Sequence, residues 1–166
     1  IPREVCIQHL RVTPEDFEAL NLKKNLIGSH IAGSIRSANS HFANILLATY
    51  LATGQDAANI VEGSQGIVCA EATDDGLYMS VTLPNIIVGT IGNGKHHDFV
   101  HERLEKILGQ APKKNSARVL AEIIASTVLC GELSCLAAQC NQGELMRSHD
   151  YYERKHRVTS TGEKKC

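Results

Sequence analysis

Ile67-Val68-Cys69-Ala70-Glu71-Ala72-Thr73-Asp74-Asp75-Gly76-Leu77-Tyr78-Met79-Ser80-Val81-Thr82-Leu83 holds two β-rich runs, Ile67 to Ala70 and Leu77 to Leu83, around the turn former Asp74-Asp75-Gly76. That arrangement reads as a hairpin. A third β-rich run, Ile86-Ile87-Val88-Gly89, follows the tight turn Pro84-Asn85. Outward from this block the apolar period becomes helical. Upstream, Pro2 opens a short helix to about Leu10, and Thr13-Pro14-Glu15-Asp16 supplies an N-cap, a proline at the first helical position and acidic residues for a second helix. Its stripe is Phe17, Leu20, Leu26 and Ile27, and it runs into the small residues Gly28 to Ser34, which permit close approach of a backbone or ligand. From Asn39 to near Gly54 a third helix is apolar around most of its circumference, which predicts a buried central element. Downstream, helices are predicted from His97 to Leu108, Ser116 to Gln139 and Glu144 to Arg154. The fold class is α+β: long buried helices packed with a small, mostly antiparallel sheet.

The 166 residues, 43% hydrophobic and 21% charged, suit one folded domain and exclude a disordered chain. With 17 basic and 18 acidic side chains, a net charge of -1 gives no broad field for nucleic acid or an anionic membrane. No run approaches the roughly 20 uninterrupted apolar residues of a membrane span, so no membrane segment is predicted in the chain. Nor does the N-terminus have a signal-peptide layout. The six cysteines form no CxxC pair, and their placement in helix-like and strand-like stretches predicts reduced core thiols and a cytoplasmic setting. An opening on Ile1 without methionine suggests a processed, excised or incompletely recorded polypeptide, and Val158 to Cys166 reads as a polar tail.

Asp56, in Thr53-Gly54-Gln55-Asp56-Ala57-Ala58, stands just after the third helix. Its reading is either a cap for the next turn or, given a charged neighbour, a carboxylate for proton relay. Asn44 brings an amide onto an apolar helix, where a core excludes it unless its hydrogen bonds are met. Gly89-Thr90-Ile91-Gly92-Asn93-Gly94 follows a strand-like run and offers backbone amides to a phosphate or amide, yet fits neither GxGxxG nor a P-loop. His97 and His101 share a helix face without a third ligand, so no metal site is predicted. His149, beyond a long helix of small residues, has an imidazole suited to proton donation near neutral pH.

These segments together resemble the C-terminal part of the catalytic domain of 3-hydroxy-3-methylglutaryl-coenzyme A (HMG-CoA) reductases. Asn25 to Ser29, Ile31 to Ile35, His41 to Ile45, Gly54 to Ala58, Gly89 to Gly92, Gly131 to Ser134 and Ser148-His149 occur in that family's order at nearly its spacing. The likeness covers residues 1 to 157, read as one part of that domain, with 158 to 166 as the tail. It implies that Asp56 belongs to the catalytic hydrogen-bonded network and that His149 protonates the departing coenzyme A thiolate. Asn44 and Ser148 fall on substrate-contacting positions, and Gly89, Thr90, Gly92, Asn93 and Gly94 on the loop beside the nicotinamide cofactor. The implied reaction reduces HMG-CoA to mevalonate with two NADPH, NADH being the alternative, and without a metal. The implied assembly is a homo-oligomer whose active site forms between subunits.

Several positions depart from the family pattern. Arg36-Ser37 stand where two glycines are usual, Asn93 and Lys95 replace a glycine and a threonine, and one extra residue lies between Gly131 and His149. The family's catalytic glutamate, lysine and dinucleotide-binding insert lie N-terminal to the stretch matched. Two other readings follow: a non-catalytic assembly remnant of the same fold, and independent coenzyme A binding through Asn44 and the basic residues near Arg147.

Overall fold

The computed structural model describes residues 1–109 and 113–154; the predicted tail lies outside them. The chain folds as α+β, with α1 at Pro14–Leu20, α2 at Phe42–Ala52, β1 at Ile67–Thr73, β2 at Gly76–Thr82, α3 at Asp98–Leu108, α4 at Ser116–Cys140 and α5 at Glu144–His149. Thr13 caps α1 as expected, its Oγ1 accepting Asp16 N–H at 3.1 Å. Around α1 the chain winds in wider π-helical turns, Cys6–Leu10 before it and Asn21–Gly28 after it.

β1 and β2 pair antiparallel from Ile67 opposite Thr82 to Thr73 opposite Gly76. Alternation places Val68, Ala70, Leu77, Met79 and Val81 on the side that meets the core. The predicted third strand at Ile86 to Gly89 does not form, and among the described residues the sheet has two strands. The backbone there bonds to side chains of the α2 region instead: Ile87 N–H donates to Tyr50 Oη at 3.4 Å, and Gly89 N–H to Gln55 Oε1 at 2.8 Å. Amides already satisfied in this way are not free to build a ladder.

α4 is the spine. Leu120, Ile124, Val128, Glu132 and Leu136 are buried along it at four-residue spacing, one face of a helix roughly 37 Å long. Its length and hydropathy would allow a membrane crossing, but this buried stripe packs with Phe17, Phe42, Leu46, Tyr50 and Leu77 as a protein core. At the crossing of α2 and α4 a Cβ on Gly131 would collide with Ile45 Cδ1, so glycine there sets the approach of the two helices.

Two further expectations change. α2 is not buried all round: Phe42, Leu46 and Tyr50 are buried, whereas Ala43, Asn44, Ala48 and Leu51 are exposed, because α4 and the segment around Gly63 cover only one side. Of the cysteines, Cys6 is a core thiol, but Cys69 and Cys130 are exposed; Cys69 falls on the outward side of β1 and Cys130 off the buried stripe of α4. In the Gly28 to Ser34 stretch, nothing lies within 4 Å of a Cβ built on Gly33, whose φ is +81°. That glycine serves the turn, and no other part of the described chain approaches it.

Candidate functional site

The predicted site residues distribute along α4. At its Ser116 end sits the Asp56 loop. α2 closes in a Schellman arrangement, Gln55 N–H donating to Tyr50 O at 2.8 Å and Gly54 N–H to Leu51 O at 3.4 Å, with Gly54 at φ +63°. The chain then turns so that Asp56 opens the short 3₁₀ turn Ala57–Asn59, its Oδ1 accepting Ala58 N–H at 3.0 Å. Asp56 is exposed, and its observed contact is that of a cap.

The glycine-rich loop is fastened to the same place. Besides the Gly89–Gln55 bond, Thr90 Oγ1 and Ser116 Oγ lie 2.7 Å apart. Lys95 Nζ donates to Gly54 O at 2.6 Å. Gly92, Asn93 and Gly94 follow one another with φ of +74°, +47° and +80°. Asn93 occupies the left-handed region that asparagine tolerates better than most residues. Gly92 and Asn93 are exposed, and nothing lies within 4 Å of a Cβ built on Gly92, so the backbone is open to a ligand there.

Midway along α4, Asn44 occupies the first turn of α2 and is exposed on the surface, not set in the core as the apolar helix suggested. Beneath that turn lies a polar cluster. Glu132, fully buried, accepts Ser40 N–H at 2.9 Å and His41 N–H at 2.7 Å. His41 Nε2 lies 3.0 Å from Gly131 O, the geometry of an N–H donated to a carbonyl. Lys24 Nζ donates to Asn25 Oδ1 and to Ser40 Oγ, both at 3.1 Å, and Asn25 is in turn bonded to Asn21, whose amide reaches Val68 O. Among the described residues Lys24 has no ion pair. A fixed ammonium held only by neutral oxygens keeps its charge available for an anion. Nearby, burial pushes the Cys135 thiol up, with the Glu132 carboxylate adding to it and Lys24 opposing.

At the Cys140 end, Asn141 Nδ2 ties the chain to Leu10 O at 3.0 Å, and α5 follows. His149 is half-buried and Ser148 exposed. His149 Nδ1 lies 2.7 Å from Glu153 Oε1 across one helical turn, so the carboxylate orients the ring through Nδ1 and does not engage Nε2. Asp56 and His149 therefore stand at opposite ends of α4, and one copy of the chain does not bring them together.

Sequence reading gave no role to Lys24 or Glu153, nor to His41 and Glu132, although these two lie in the motifs it quoted. The i, i+4 spacing of His149 and Glu153 was available in the sequence; the cluster around Glu132 joins segments more than 90 positions apart, which no local pattern reveals. Of the helix-face pair His97 and His101, His101 lies 3.3 Å from Glu105, and the His97 ring lies 4.5 Å from that of His96.

Comparison with known proteins matches nearly the whole chain. The family model for hydroxymethylglutaryl-coenzyme A reductase matches residues 1–154. A 3-hydroxy-3-methylglutaryl-coenzyme A reductase of Aeropyrum pernix is 47% identical over 154 residues, 90% of this chain and 36% of that protein. One from Methanocaldococcus jannaschii is 47% identical over 142 residues, 86% of this chain and 34% of the relative. In Dictyostelium discoideum, 3-hydroxy-3-methylglutaryl-coenzyme A reductase 2 is 46% identical, covering 88% of this chain and 29% of the relative. The chain thus spans about a third of the length of such relatives, and over nearly all of its own length it belongs to the hydroxymethylglutaryl-coenzyme A reductase family.

Proposed function

We propose that the chain supplies the Asp56, Asn44 and His149 parts of an NADPH-dependent reductase that converts HMG-CoA to mevalonate and free coenzyme A. The observation that carries this reading is the fastening of the Asp56 loop to the glycine-rich loop through Gln55–Gly89 and Lys95–Gly54. It seats an acidic residue beside open backbone suited to a cofactor. When bound, NADPH supplies hydride in two successive transfers, taking the thioester through a hemithioacetal and mevaldehyde to the alcohol. Gly89, Thr90, Gly92, Asn93 and Gly94 are the residues that would hold it; the exposed, positive-φ backbone at Gly92 and Asn93 fits close approach of a planar group.

In this reading each station on α4 has a task. Lys24 and Asn44 hold the polar acyl end of the substrate, the ammonium facing its carboxylate. Asp56 acts on a neighbouring charged or acidic group beside the carbonyl oxygen that becomes negative, where electrostatic stabilisation is most effective. Ser148 contacts the coenzyme A portion. His149, aligned by Glu153 at Nδ1, donates a proton from Nε2 to the leaving thiolate, a step for which a positioned acid typically gives ~100-fold to 10,000-fold.

The separation of Asp56 from His149 favours a homo-oligomer in which different subunits complete one site. Exposed Ile31, Ile35 and Leu51 are apolar surface for such association. The reading is tested with the complete polypeptide by following NADPH oxidation with HMG-CoA. Asp56→Asn and His149→Gln are expected to reduce turnover at least 100-fold with the fold intact, and unchanged turnover in both would remove the assignment.

A further inference from the structure

Lys95 replaces the threonine usual in the family's glycine-rich loop. It is only 6% exposed, and its ammonium donates to Gly54 O at 2.6 Å. Among the described residues no carboxylate is within ion-pair reach of it. A buried ammonium loses its hydration and is retained where fixed acceptors or a nearby negative potential offset that cost. The end of α2 offers both. The Schellman bonds that close the last turn already use the Tyr50 and Leu51 carbonyls, so the ammonium meets the carbonyl that follows them, and the helix dipole is negative there. Gly54 O lies just past that turn and two residues before Asp56.

The loop is wound to deliver this side chain. With positive φ at Gly92, Asn93 and Gly94, Lys95 N–H donates to Gly92 O at 2.9 Å and His97 N–H to Gly94 O at 3.1 Å. These tight turns send the Lys95 stem inward instead of along the surface. A threonine at this position is too short to span the same gap.

We propose that Lys95 is a positioning residue particular to this chain: its ammonium caps the C-terminal end of α2, locks the Gly54-Gln55-Asp56 loop to the glycine-rich loop and places a fixed positive charge close to Asp56. It acts through the loops and does not touch the reacting atoms. The proposal rests on the reading of these two loops as parts of one reductase site, and it adds a group that the family pattern lacks.

Two measurements test it. In the chain itself, backbone hydrogen exchange is followed in wild type, Lys95→Thr and Lys95→Gln, threonine being the residue that relatives fold with. Lys95→Thr is expected to speed exchange at Gly89 and Gln55 at least 10-fold and leave the hairpin amides of Cys69 and Tyr78 unchanged. Lys95→Gln, which keeps a donor, is expected to retain part of the protection. Exchange at Gly89 within twofold of wild type in Lys95→Thr, or equal acceleration at the hairpin, would overturn the proposal. The second measurement uses the complete reductase polypeptide. There Lys95→Thr is expected to lower kcat about 10-fold with the KM for HMG-CoA unchanged, since Lys24 and Asn44 are untouched. An equal rise in that KM, or an unaltered kcat, counts against it. Absence of turnover in every form, wild type included, would remove the reductase reading while leaving the exchange result to decide the role of Lys95 in holding the loops.

Discussion

Glu132 on α4 accepts the backbone N–H groups of Ser40 at 2.9 Å and His41 at 2.7 Å, immediately before the first turn of α2. A fully buried carboxylate thereby holds the two residues that lead into α2, across more than 90 positions of sequence, while the first helical amide, Phe42 N–H, is met by Asn39 Oδ1 at 3.1 Å. Amides at a helix start have no intrahelical partner and favour negative charge. The same contact fixes His41, Ser40 and, through Ser40, the Lys24 ammonium.

Glu132→Ala removes both acceptors and leaves two half-buried donors unmet, each a loss of about 1–3 kcal/mol. Destabilisation of roughly 3 kcal/mol is expected in chemical denaturation, and Glu132→Gln, which keeps one acceptor oxygen, should lose less. A cost below about 1 kcal/mol for the alanine variant would mean that Glu132 does not hold the start of α2.

Gly54→Ala meets two obstacles. Its φ of +63° disfavours any Cβ, by about 1–2 kcal/mol, and the new methyl would press on the Val100 side chain from α3. Adding Val100→Ala should relieve the second and not the first. Thermal denaturation of the single and double variants separates them: the double variant should recover part of the loss caused by Gly54→Ala, measured against Val100→Ala alone.

Arg36 sits at φ +58°, where the family usually has glycine. Relief of the left-handed penalty, about 1–2 kcal/mol, is partly offset by the greater freedom of glycine in the unfolded chain, about 0.4–1 kcal/mol. Arg36→Gly is therefore expected to stabilise by roughly 0.5–1 kcal/mol, read as a higher denaturation midpoint at constant slope. A lower midpoint would assign Arg36 a contact that outweighs its backbone conformation.

Burial, assisted by the nearby Asp16 charge, pushes the Cys140 thiol from 9.0 up to about 11. The folded state therefore holds this proton more tightly than the unfolded one. Its contribution to stability is complete below about pH 9 and is lost as pH rises through about 11. Alkylation by iodoacetamide at pH 8 should modify the exposed Cys69 and Cys130 well before Cys140, because the thiolate is the nucleophile. Mass mapping of the modified peptides tests the order, and early labelling of Cys140 would contradict a raised thiol pKa.

The hairpin from Ile67 to Thr82, the Thr13 cap and the extents of α2, α3 and α4 were legible because each rests on local chemistry: alternation, a turn former, a capping hydroxyl or a helical apolar stripe. The family motifs were legible in the same way, as linked short segments in order. The third strand failed because Ile86 to Gly89 has the composition of a strand while its amides find Tyr50 and Gln55, residues brought near only by packing. The core reading of α2 failed because an apolar helix shows how much surface seeks cover and not how much receives it. Asp56 was already readable as a cap, and the structure displays that contact; its place beside the glycine-rich loop depends on Gln55 and Lys95 reaching across more than 30 positions. So the sequence by itself determined the elements, the family and the residue types available for chemistry. Only the tertiary structure decided which of them meet. It set Glu132 beneath the start of α2, Lys95 against its end, and Asp56 and His149 at opposite ends of α4, since long-range hydrogen bonds and helix crossings leave no periodic trace in the chain.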